Sequence, residues 1–85
     1  MNAIKELILD CLIEDDEALT QIVEYLALDN VDVPSREEVE EILSDMVLGG
    51  YIRVNHTWKN EHNENPYSLT EKGRSAWHKL NDTLK

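Results

Sequence analysis

The chain carries one cysteine, Cys11, three glycines, two prolines and only eight lysines and arginines among its 85 residues. A lone cysteine excludes an internal disulfide. No apolar run approaches the length of a membrane span. The opening "MNAIKELILD" carries acids within its apolar stretch, unlike a secretion signal, so a cytoplasmic protein is expected. CxxC, HxxxH and HExxH spacings are absent, which argues against a metal site. Glycine-rich phosphate loops, a serine elbow and paired-carboxylate motifs are also missing, so neither an enzyme nor a cofactor is expected. Without repeats or a low-complexity linker, residues 1–85 read as a single domain.

What is present is acid. Eighteen Asp and Glu give a formal net charge of −10. Residues 1–34 hold one base against nine acids, and residues 35–50 one base against five. Residues 51–85 reverse the balance, with six bases against four acids. Such asymmetry suggests that the two ends meet different surroundings. A simpler reading of residues 1–34 is acids solvating exposed helix faces.

Apolar spacing predicts four helices. Ile4, Leu7, Ile8, Cys11 and Leu12 form one amphipathic stripe. Cys11 on that stripe is expected to pack as a small hydrophobe. A second helix is predicted near 17–28 from Leu19, Ile22, Val23 and Leu26, with Asp15 or Asp16 as its cap. The stretch "DNVDVPS" breaks the pattern, and Val31 and Val33 suggest a short extended piece. Ser35 with Glu38 is a capping box for a third helix, whose apolar face is Val39, Ile42, Leu43, Met46 and Val47. Gly49 and Gly50 are expected to end it through positive φ. "YIRVN" and "YSL" then read as strands of a hairpin with a long polar tip. Thr70 is predicted to cap a last helix with Gly73, Ala76 or Trp77, Leu80 and Leu84 on its inner stripe.

This order, with "LSDMVLGGYIRV" (Leu43 to Val54) and "YSLTEKGRSAW" (Tyr67 to Trp77), resembles the winged helix-turn-helix family over nearly the whole chain. The resemblance implies an α+β, mostly α fold: a three-helix core, a two-stranded β-hairpin wing and a C-terminal helix. It also implies a third helix that enters the major groove and a wing that touches the phosphate backbone or minor groove. Many members are dimeric bacterial transcription regulators, some with the final helix as dimer contact. Leu84 is the candidate for that contact in a homodimer.

The outward face of the third helix complicates that implication. Projected on a wheel it holds Arg36, Glu37, Glu40, Glu41, Ser44, Asp45 and Leu48. Four carboxylates against one guanidinium is the wrong sign for phosphates, whose neutralisation by Lys and Arg supplies most of the affinity. The gap "ALDNVDVPS" is also longer than a compact helix-turn-helix turn. The first expectation is therefore a non-enzymatic protein-interaction or regulatory adaptor. Its partner, a protein that a basic surface would suit, would meet Glu37, Glu40, Glu41, Asp45 and Trp58. Trp58 folded against the strands would be ordinary; an exposed Trp58 would mark a contact surface. The alternative is a dimeric DNA-binding transcriptional regulator using Arg36, Ser44, Arg53, Lys59 and Arg74.

Overall fold

A computed structural model describes residues 3–29 and 34–82. The elements run α1 (Ala3–Glu14), α2 (Leu19–Asp29), α3 (Arg36–Leu48), β1 (Ile52–Val54), β2 (Tyr67–Leu69) and α4 (Glu71–Asp82). Val31, Val33 and Leu84 lie outside the described residues. Among the described residues no helix is long and apolar enough to cross a membrane.

α1 is the centre of the packing, lying against α2, α4 and β2. That position explains why its buried surface is wider than one stripe. Ile8, Leu9, Cys11 and Leu12 are all buried, although Leu9 lies off the predicted face, while Ile4 and Leu7 are only partly covered. Ile22 and Leu26 of α2, and Val39, Leu43 and Met46 of α3, close the core from one side. Ile52 and Leu69 close it from the sheet. Val47, predicted on the apolar face of α3, is 36 % exposed.

The acidic stretch between α1 and α2 does not cap α2 with Asp15 or Asp16. Glu17 is instead extended and forms a bridge with Tyr67: the Tyr67 N–H donates to the Glu17 carbonyl at 2.9 Å and the Glu17 N–H to the Tyr67 carbonyl at 3.3 Å. α2 therefore starts later, at Leu19. Asp16 turns inward, where one carboxylate oxygen accepts from Ser68 Oγ (2.5 Å) and Asn55 Nδ2 (3.1 Å). Two donors across the strands hold this acid more firmly than an exposed helix end would.

Ser35 caps α3 as predicted, its Oγ accepting from the Glu38 N–H at 3.2 Å. The return contact runs from the Ser35 hydroxyl to Glu38 Oε1 at 3.3 Å. Of the two glycines that end α3, Gly50 takes positive φ (81°) and Gly49 stays helical. The chain then reverses into β1, antiparallel to β2 with Ile52 opposite Leu69, Arg53 opposite Ser68 and Val54 opposite Tyr67. Thr70 caps α4 by accepting from the Gly73 N–H at 3.1 Å. Gly73 is the point of closest approach: a Cβ there would lie 2.0 Å from the Tyr51 carbonyl oxygen. Only hydrogen fits at that contact.

Candidate nucleic-acid interface

The third helix presents the side chains the sequence assigns to its surface. Glu37, Glu40, Glu41, Ser44 and Asp45 are exposed and line one shallow depression. Arg36, the only base of that helix, does not stand free. Its Nη2 pairs with Glu64 at 2.5 Å, its Nη1 donates to Thr20 Oγ1 at 3.3 Å, and Nε lies 3.9 Å from Glu40. The guanidinium is thus spent on holding three segments together, though half of it faces solvent.

Residues 55–66 form the wing, and they are folded rather than loose. Asn55 N–H donates to the Pro66 carbonyl at 2.7 Å and closes the base. Asn65 Nδ2 donates to the Trp58 carbonyl at 3.1 Å. Asn60 organises the tip: its Oδ1 accepts from the N–H groups of His62 (3.0 Å) and Glu64 (2.9 Å). Its own N–H donates to the Glu64 carbonyl at 3.0 Å, and Asn63 takes φ of 62° to complete the turn. Asparagine tolerates that left-handed backbone better than most residues.

The wing is also anchored to the helices. Asn60 Nδ2 donates to Gln21 Oε1 at 2.9 Å. Glu64 receives Arg36, the Thr20 backbone N–H (3.2 Å) and Asn60 Nδ2 (3.0 Å). Partial burial pushes the Glu64 carboxyl upward, but the hydrogen bonds from Asn60, Thr20 and Arg36 outweigh it and hold the group below the usual glutamate value. A carboxylate on the first-turn N–H of α2 also meets the positive end of that helix. In sequence Glu64 reads only as one acid within the long polar tip of the hairpin. The signal that marks it is the Asn60–Glu64 spacing around a turn-prone Asn63.

The remaining bases are distributed. Arg53 and Arg74 are exposed and line a second, polar depression together with Glu14, Asp15, Asp16 and Asn55. Lys59 and Trp58 stand on the wing, and Trp58 is 45 % exposed instead of folded against the strands. The structure therefore unites four of the five acids of α3 (Glu37, Glu40, Glu41 and Asp45), unites Arg53 with Arg74, and ties Arg36 to the wing. Cys11 is buried, and its thiol is pushed up to about 12, first by burial and then by the charges of Glu17, Asp10 and Glu14. Among the described residues no group of three His, Cys, Asp or Glu side chains converges to hold a metal ion.

Trp77 and Tyr25 meet at one carboxylate. Asp10 Oδ1 accepts from Trp77 Nε1 and Oδ2 from the Tyr25 hydroxyl, both at 3.0 Å. α4 and α2 are thereby pinned to α1, and a groove between α1 and α4 opens beside Leu7, Trp77 and Leu80.

No family model matches the sequence, and no curated protein matches it. Solved structures do. PadR of Bacillus subtilis in complex with operator DNA is similar with a TM-score of 0.77 and 22 % identity, over 94 % of this chain and 46 % of that one. This chain thus spans less than half the length of that regulator. A PadR family transcription regulator from Clostridium difficile R20291 gives 0.83 at 15 % identity, over 96 % of this chain and 86 % of its own. A transcriptional regulator from Clostridium thermocellum gives 0.75 at 19 % identity, over 95 % and 79 %. These findings overturn the expectation of a protein-interaction adaptor: these three structural neighbours are transcription regulators, one of them solved in complex with operator DNA. The physical error lay in letting one acidic helix face outweigh an arrangement of helix and wing that the backbone retains. What the likeness establishes is the fold, and that fold is the winged helix-turn-helix.

Proposed function

We propose that the chain is a DNA-binding transcriptional regulator of the winged helix-turn-helix type, working as a homodimer. The observation that carries the reading is the Arg36–Glu64 pair, which holds the wing beside the first turn of α3. Helix and wing then stand on one side, the arrangement needed to meet a groove and the adjoining backbone together. The operator-bound relative of the same fold supports it.

In this reading the contacts come mainly from outside α3. Arg53 and Lys59 on the hairpin and Arg74 at the start of α4 neutralise phosphates. Ser44 offers a hydroxyl from α3 that serves any base. Carboxylates of that helix accept from cytosine N4, the one base-edge role that suits glutamate and aspartate. The surrounding acids make affinity low and the choice of sequence strict, since each carboxylate not given a donor repels the duplex. The second copy docks along the α1–α4 side, where the groove exposes Leu7, Trp77 and Leu80; Leu84 is the sequence candidate for extending that contact.

Selection from a pool of genomic DNA fragments tests the reading. Retained fragments whose binding weakens steeply between about 50 and 200 mM salt are expected. A pool that passes unbound at the lower salt overturns it. Sedimentation showing only a 9.8 kDa species at micromolar concentration overturns the dimer.

A further inference from the structure

Glu64 is an acid in a segment that, on the DNA-binding reading, approaches phosphates. Electrostatics alone makes it a liability. Its surroundings show a different use. The side chain is only 16 % exposed, against 81 % for Glu61 in the same loop. Three donors from three segments converge on its carboxylate: the Arg36 guanidinium at the head of α3, the Thr20 N–H at the head of α2, and Asn60 Nδ2 within the wing.

The strands below the wing are too short to orient it. β1 and β2 have three residues each, and a hairpin of that size has little stability of its own. The wing tip, by contrast, is internally closed by Asn60, which binds both the N–H and the carbonyl of Glu64. Gripping Glu64 therefore grips the whole turn. The second tether, Asn60 to Gln21, runs to the same end of α2. Glu40 also faces the clasp, 3.9 Å from Arg36 Nε, and both Glu40 and Glu64 raise the Tyr67 hydroxyl after burial does.

We propose that Glu64 is a positioning residue: it sets the angle between wing and α3 so that both reach one duplex, while touching no nucleotide itself. The proposal rests on the DNA-binding reading. It inverts the simple charge expectation, under which removing an acid near DNA strengthens binding.

The test compares Glu64→Gln with Glu61→Gln in the full chain. Both remove one negative charge from the same loop; only the first takes the carboxylate away from Arg36 and weakens the clasp. On the duplex selected above, Glu64→Gln is expected to bind about tenfold more weakly than the parent chain, and Glu61→Gln as tightly or more tightly. Glu64→Gln binding as well as the parent overturns the proposal. Amide hydrogen exchange on the free protein gives a second measurement, independent of DNA. The N–H groups of Thr20, His62 and Glu64 should exchange at least about tenfold faster in Glu64→Gln, with those of Leu43 and Met46 in α3 unchanged. Unaltered wing exchange overturns the clasp even if binding falls. Should the parent chain bind no duplex, the regulator reading fails, and with it the positioning role; the exchange rates still decide whether Glu64 holds the wing.

Discussion

Trp77 and Asp10, sixty-seven residues apart in sequence, are joined by an indole N–H to carboxylate hydrogen bond of 3.0 Å. The same carboxylate takes the Tyr25 hydroxyl, so one exposed acid fixes the mutual positions of α1, α2 and α4. Asp10→Ala is expected to destabilise the chain by about 1 kcal/mol, below the usual range for bonds to a charged acceptor because the site is open to water. For a domain of this size that lowers the melting temperature by roughly 4–8 °C. Melting followed by circular dichroism checks it, and Trp77 emission should move to the red.

Gly73→Ala should be the costlier change. A Cβ 2.0 Å from the Tyr51 carbonyl oxygen forces α4 off the strands. A loss of about 2–3 kcal/mol is expected, from overpacking against backbone that cannot yield. Gly50→Ala makes only an ordinary contact with the Lys72 side chain at 3.7 Å and suffers from its φ of 81°, at about 1–2 kcal/mol. Urea unfolding of the two variants ranks them.

Cys11 is expected to be nearly inert while the chain is folded. With the thiol pushed up to about 12 and the side chain buried, thiolate is scarce near neutrality, and a disulfide reagent should label it only through unfolding. The sign for stability follows from the raised value. Stability tied to this group is full below its ordinary value of 9.0 and is lost as pH climbs toward 12. Cys11→Ala should flatten the alkaline limb of the stability curve.

Acid should act through Glu64 in the opposite sense. Its value in the fold is lowered, so its contribution is present above about 4.5 and disappears as pH falls through the lowered value. Glu17, raised by burial and by Asp15 and Asp16, runs the other way and is relieved by protonation. Glu64→Gln is therefore expected to lose less stability than the parent chain on acidification, and Glu17→Gln to lose more. Unfolding at a series of pH values separates them.

Lys59→Ala should weaken duplex binding uniformly across sequences and reduce the slope of log affinity against log salt by about 1. A variant whose slope matches the parent removes Lys59 from the phosphate contacts.

The helices and the hairpin were readable because each is written in local chemistry: the period of Val39, Leu43 and Met46, the Ser35 cap, and the Thr70–Gly73 junction. The Glu17 bridge was not. Its partner Tyr67 lies fifty positions away, and an acidic run gives no sign of extended pairing. Leu9 escaped because a helix covered on several sides has no single stripe. The interface was legible only in outline. The acids of α3 stand where the wheel placed them, but the binding face depends on the wing angle. That angle is set by Arg36, Glu64, Asn60 and Gln21; the Asn60–Glu64 turn is local, but no spacing announces its meeting with Arg36 and Gln21.

The Glu17 bridge has a bearing on association. Because Tyr67 pairs with Glu17 on one side and Val54 on the other, β2 is an inner strand at its first residue. The open edge is left to β1, three residues long with Arg53 at its middle. A short edge with a charge at its centre is a poor template for adding strands. Copies of this chain are thus steered away from edge-to-edge stacking through the wing.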